Sequence, residues 1–145
     1  MEELAVIISV LTLVVTTTGL IATVQQFKKQ LRLNFFADYT KRYQEILLNF
    51  PEKINEETFK ISNLEATDRD RTLRYMRAYF DLCSEEYYLW RQGDIDYETW
   101  REWETGIRFA FSKPAFQEAW NILRLDTIYY GDFSELVAES MSKPN

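Results

Sequence analysis

The sequence predicts an all-α protein: one N-terminal transmembrane helix continuing into a long juxtamembrane helix, followed by a compact cytosolic helical bundle. Three observations predict it. Residues 4–24, LAVIISVLTLVVTTTGLIATV, carry no charge. At about 1.5 Å of rise per residue such a helix reaches roughly 31 Å, the thickness of a bilayer's hydrocarbon core. No glycine or proline interrupts residues 20–50, and beyond them apolar residues recur at helical spacing with no alternating run that would mark a strand.

Residues 1–3 form a short extracytosolic N-terminus and residues 4–24 the span. A secretory signal would need a positive leading region, a shorter apolar core and a small-residue cleavage site. Here Glu2 and Glu3 lead, and Gln25-Gln26-Phe27 stands where cleavage would fall. A buried core helix is disfavoured by the lack of a polar face wide enough to meet water. Lys28, Lys29 and Arg32 form a basic collar just after the span, followed by Lys41 and Arg42, whereas only acids precede it. Cationic flanks stay on the cytoplasmic side. The expected location is therefore the bacterial inner (plasma) membrane, with the N-terminus outside and the C-terminal domain cytoplasmic. The lone Cys83 agrees with a reducing compartment.

Within the span Ser9, Thr12, Thr16, Gly19 and Thr23 are spaced three, four, three and four apart, and Gln26 and Gln30 extend the series. This is a heptad seam of small or hydrogen-bonding residues, the kind that lets helices approach closely in lipid. Three meanings are open. The stripe packs identical chains together, it lines a wet pore in a larger ring, or each hydroxyl satisfies a carbonyl of its own helix and the period is chance. A monomer would leave the stripe facing lipid.

Residues 25–50 continue the span as a juxtamembrane helix. Phe27, Leu31, Phe35, Tyr39, Tyr43, Ile46 and Phe50 recur along it until Asn49-Phe50-Pro51 ends it. This stripe must bury itself against the rest of the domain or a neighbouring chain. Residues 51–145 form the bundle that packs on it. Residues 51–66 read as loop with one helical turn. A helix starts near Thr67 or Asp68, both good capping residues, and runs to about Gln92 with Leu73, Met76, Phe80, Cys83 and Tyr87 on one face. Gly93 stops it. Asp96 caps the next helix, which buries Trp100, Trp103, Ile107 and Phe111. Ser112-Lys113-Pro114 begins another, with Phe116, Ala119, Trp120 and Leu123 inward. Gly131 breaks the chain, and Asp132-Phe133-Ser134-Glu135 has capping-box spacing for a last helix to about Met141.

Charge follows position. The whole chain carries −6, with −2 in residues 1–24, +3 in 25–45 and −7 in 46–145. The basic stretch suits anionic headgroups, and the acidic body argues against nucleic acid as a partner. All the aromatics lie beyond residue 26, so the cytosolic part can bury a sizeable core. The chain has no histidine, which removes Ser/His/Asp and Cys/His nucleophilic sites and the common zinc sites. Its four isolated glycines make no phosphate loop. What survives is a carboxylate-rich stretch: Asp81, Glu85, Glu86, Asp94, Asp96, Glu98 and Glu102. Hard oxygen ligands of this kind hold Mg²⁺ or Ca²⁺. Surface pairs (Arg77 four before Asp81, Arg101 beside Glu98 and Glu102) and helix caps explain them better. Cys83, amid apolar neighbours, reads as a small buried hydrophobe.

The blocks Arg77-Ala78-Tyr79-Phe80-Asp81-Leu82-Cys83-Ser84-Glu85-Glu86-Tyr87-Tyr88-Leu89, Gly93-Asp94-Ile95-Asp96, Trp100, Trp103, Gly106 and Lys113-Pro114-Ala115-Phe116-Gln117-Glu118-Ala119-Trp120 carry a resemblance. The chain resembles a bacterial family of short, uncharacterised single-pass membrane proteins that pair one N-terminal span with a helical cytosolic domain. The resemblance implies membrane location and this architecture, and no activity. In layout alone the chain is also similar to the ring-forming membrane accessory proteins of RNA-targeting CRISPR systems.

The function expected is non-enzymatic: a single-pass membrane protein that homo-oligomerises through its transmembrane helix and presents a cytosolic interaction domain, as an accessory subunit. The alternative is a ring-forming membrane effector or pore of a bacterial defence system, gated by a cytosolic signal or partner. The expected partners are the lipid bilayer, further copies of the chain and a cytosolic protein. No catalytic residue, metal ligand or cofactor is expected. The candidate site residues are the stripe Ser9, Thr12, Thr16, Gly19, Thr23 and Gln26 and the collar Lys28, Lys29 and Arg32.

Overall fold

A computed structural model describes residues 1–142 of the chain; the last three residues of the bundle assigned above lie outside the described residues. The described residues form five helices and one 3₁₀ turn, with no strand. These are α1 (Glu2–Leu47), the 3₁₀ turn (Ile61–Asn63), α2 (Ala66–Gln92), α3 (Tyr97–Phe111), α4 (Pro114–Leu123) and α5 (Phe133–Ser142). The protein is all-α, a long N-terminal helix followed by a helical bundle. It divides into two compact units, residues 1–42 and the chain from Tyr43 onward.

The first unit is helix alone. Among the described residues α1 is the one helix long and apolar enough to cross a membrane, and none of its most apolar window is buried. Ile7, Leu11, Val14 and Ile21 are each more than half exposed. In water that much bare aliphatic surface would be strongly unfavourable, at about 25 cal/mol per Å². Farther along, Phe35 and Tyr39 meet at 4.4 Å between ring centres, and the Arg42 guanidinium lies 5.2 Å over the Tyr39 ring. Phe27 and Leu31, expected to be buried with them, are 63% and 52% exposed.

The second unit is organised around α2, which the last turn of α1, the 3₁₀ turn and helices α3 to α5 surround. Because neighbours press on it from several sides, α2 buries more than one stripe. Met76, Phe80, Cys83 and Tyr87 are buried as expected, and so are Thr72, Tyr79, Leu82, Ser84 and Glu86. Leu73, expected inward, is only half-buried. The core is an aromatic lattice. Phe80 stacks on Phe111 at 5.1 Å and meets Trp120 edge-on at 5.4 Å. Phe133 of α5 closes on Phe111 and Trp120 at 6.2 and 6.0 Å. At the far end of α2, Trp90 stacks on Trp100 of α3 at 4.7 Å. Such pairs each contribute about 0.5–1.5 kcal/mol beyond the area they bury.

Element ends follow local chemistry. Gly93 ends α2 in the left-handed region (φ 83°), and its N–H bonds back to the Leu89 and Trp90 carbonyls, a conformation that favours glycine. Asp96 caps α3 by accepting the Thr99 N–H at 3.0 Å. Pro114 sits in the first turn of α4, where its missing N–H costs nothing. Two further details differ from expectation. α2 starts at Ala66, with Glu65 in the capping position and no side-chain cap, because the Arg69 N–H closes the first turn on the Glu65 carbonyl at 2.8 Å. Trp103 is half-buried rather than in the core, since Trp100, Ile107, Ala110 and Phe111 already fill the inner face of α3.

Candidate functional site

The seam residues sit on an uninterrupted helix, so their heptad spacing places them along one side of α1. Each hydroxyl is satisfied within the helix. Ser9 donates to the Ala5 carbonyl at 2.8 Å, Thr12 to Ile8 at 2.8 Å, Thr16 to Thr12 at 2.7 Å and Thr23 to Gly19 at 2.9 Å. A polar group in lipid without a partner costs several kcal/mol. These four hydroxyls therefore escape that penalty, and need no second chain to supply hydrogen bonds.

Two further threonines lie outside the seam pattern. Thr17 donates to the Leu13 carbonyl at 2.8 Å, and Thr18 to Val14 at 2.7 Å. At about 100° per residue they lie off the stripe, so hydroxyls occupy more of the helix surface than the period alone implies. Their signal was the Thr16-Thr17-Thr18 run itself.

Gly19 is different in kind. A glycine inside a helix costs roughly 0.5–1 kcal/mol relative to alanine. Its backbone is not in the left-handed region, and a Cβ built there would meet nothing within 4 Å. No contact within the chain accounts for the missing side chain. Gln26 and the collar residues Lys28, Lys29 and Arg32 are all exposed.

Among the described residues no group of three or more His, Cys, Asp or Glu side chains converges to hold a metal ion. The carboxylate stretch disperses. Asp96 is a helix cap, Glu86 is buried, and Asp94, Glu98 and Glu102 are exposed, the last 3.6 Å from Arg101. Arg77 does not pair with Asp81 as its i,i+4 spacing suggests. It forms a two-pronged contact with Asp126, at 3.1 and 2.8 Å, and also bonds Thr127 Oγ1. The planar guanidinium matches a carboxylate better than an oblique partner on its own helix. This pair fastens the segment after α4 to α2, helped by the Ser84 hydroxyl accepting the Tyr130 N–H at 2.8 Å.

The electrostatics of this fastening are uneven. The bond from Arg77 holds the Asp126 carboxyl below the usual range. Burial raises Asp81, only partly offset by Arg77. Burial, reinforced by the Asp81 charge, pushes the Tyr129 phenol up to about 12. The Tyr129 oxygen is buried without a hydrogen-bond partner. Cys83 is fully enclosed, and burial pushes its thiol well above the ordinary range. It is protonated at neutral pH, a poor nucleophile. An open cleft of about 440 Å³ between α4 and α5 is lined by Trp120, Arg124 and Met141 among others, with no acid. It offers one cation and no acid–base pair.

No protein-family model, no curated protein and no solved structure matches the chain.

Proposed function

We propose that the chain is a single-pass membrane protein, non-enzymatic, that self-associates through α1 and presents its helical bundle in the bacterial cytosol to a protein partner. One observation carries the reading: residues 4–24 of α1 carry no charge, and none of the helix's most apolar window is buried. Lipid is the solvent that removes the cost of that surface. The collar of Lys28, Lys29 and Arg32 supports the orientation. Gly19 supports self-association, because a second helix gives its missing side chain a use. The family resemblance noted above is consistent with this layout.

The test is membrane extraction combined with protease access. The chain is expected to stay in the pellet after alkaline carbonate washing, and protease added to intact spheroplasts is expected to leave residues 30–145 whole. Release by carbonate would refute the span, and digestion without lysis would refute the orientation.

A further inference from the structure

The cleft between α4 and α5 has a charge pattern opposite to that of the bundle it belongs to. Residues 46–145 carry −7, yet no Asp or Glu is among the residues that line this cleft of about 440 Å³. α4 and its C-terminal cap supply Trp120, Asn121 and Arg124, and α5 supplies Ser134, Ala138 and Met141. The α5 residues stand at positions i, i+4 and i+7, so one face of that helix forms a wall.

The polar groups here are unspent. Arg77, Arg101 and Arg108 each pair with a carboxylate. The Arg124 side chain makes no ion pair or hydrogen bond among the described residues, and neither do those of Asn121 and Ser134. The end of α4 accounts for a cation at position 124 through the helix dipole. It does not account for walls without an acid, or for the amide and hydroxyl that share the cleft. A guanidinium only donates, and its planar fork matches a carboxylate. One guanidinium balances one negative charge and would leave a phosphate dianion half-neutralised. Trp120, Ala138 and Met141 offer the apolar contact that a ligand's body needs. The volume falls within the range of about 300–1,000 Å³ usual for small-molecule clefts. We propose that this cleft binds a small monocarboxylate with an apolar body, the carboxylate on Arg124 and the body against Trp120, Ala138 and Met141. Asn121 and Ser134 supply further donors. Such a site lies within the bundle alone and does not depend on how α1 meets the membrane.

The test is a ligand-observed NMR titration of the full chain in phosphatidylcholine nanodiscs, with empty nanodiscs as the blank. The probes are 3-phenylpropionate and octanoate, each compared with its uncharged amide. At least one carboxylate is expected to bind about ten-fold more tightly than its amide, the usual worth of a hydrogen bond to a charged group. Arg124→Gln is expected to erase that preference. Arg101→Gln, whose arginine lies 3.6 Å from Glu102 and does not line the cleft, should keep it. Ala138→Phe should weaken acid and amide alike by filling the cleft. Equal binding of acid and amide, or no binding of either carboxylate, would overturn the site. So would a preference that survives Arg124→Gln or binding undiminished in Ala138→Phe, since either would place the ligand elsewhere. Displacement of the carboxylate by equimolar inorganic phosphate would overturn the monocarboxylate as ligand class.

Discussion

The apolar first half of α1 and the bundle are both rich in apolar side chains, and they dispose of them in opposite ways. The span is aliphatic, without an aromatic ring before Phe27, and leaves its side chains outside. The bundle is aromatic and turns its rings inward onto Phe80, Phe111 and Trp120. Their polar groups differ in the same sense. In the span every serine and threonine hydroxyl bonds a carbonyl three or four residues back. In the bundle the important bonds reach far along the chain. Glu118 accepts the Ile61 and Ser62 N–H groups at 2.9 Å, Arg77 grips Asp126, and Ser84 holds Tyr130. One region is satisfied locally; the other is satisfied only when its distant parts meet.

That contrast can be broken from either side. The largest effect is expected in the bundle core: Phe80→Ala should destabilise it by about 3–5 kcal/mol, the usual range for emptying a buried ring site. Denaturant titration of detergent-solubilised chain, followed by near-ultraviolet circular dichroism, would show it. Membrane fractionation should be unchanged, because the span does not depend on the bundle's core.

Next comes Thr16→Lys. A charge near mid-bilayer costs about 2.5–3.5 kcal/mol by insertion scales when it faces lipid or a dry contact. In a dry packed seam the variant should lose assembly or expression. In a water-filled ring it should insert, assemble and favour anions. The dry seam is expected, since no charge lies within the span and every hydroxyl is already bonded. Dye leakage from liposomes holding the wild type would reverse that expectation.

Gly19→Ile should be milder, weakening association without preventing insertion, because the new side chain has open space within its own chain and collides only with a neighbouring helix. Val14→Ile, on the opposite side of α1, should leave the oligomer unchanged. Comparing the two by sedimentation in detergent sharpens the assignment of faces.

The smallest effects are electrostatic. Asp126 is held below the usual carboxyl range, so its contribution to stability is complete above an unfolded pKa of about 4 and fades as pH falls through the lower folded value. Asp81 has the opposite sign. Its folded pKa is raised, so the folded chain holds the proton more tightly and the neutral-pH charge is mildly unfavourable. Asp126→Ala should lower the thermal midpoint at pH 7 and much less at pH 2. Asp81→Asn should be neutral or slightly stabilising at pH 7, within about 0.5 kcal/mol.

Much of this architecture was legible because it is written in local sequence. The uncharged run, the capping Asp96, the stopping Gly93 and the Pro114 start each depend on a few neighbouring residues. The burial of Met76, Phe80, Ile107 and Trp120 follows from helical period. What stayed hidden depends on tertiary neighbours. Nothing around Arg77 shows that its partner is Asp126 rather than Asp81. Period analysis gives α2 one inward face and cannot say that neighbours press on several, burying Glu86 and Ser84. For the candidate seam the spacing was readable, but the bonding of each hydroxyl to its own backbone and the open space beside Gly19 needed coordinates.

On the function proposed above, α1 crosses the membrane and meets its own kind there. Native mass spectrometry of the chain released from detergent micelles tests it most directly. A mass of two or more times the 17.4 kDa chain is expected, falling toward the single-chain mass in Gly19→Ile. A wild type that flies only at 17.4 kDa from mild detergent would contradict it.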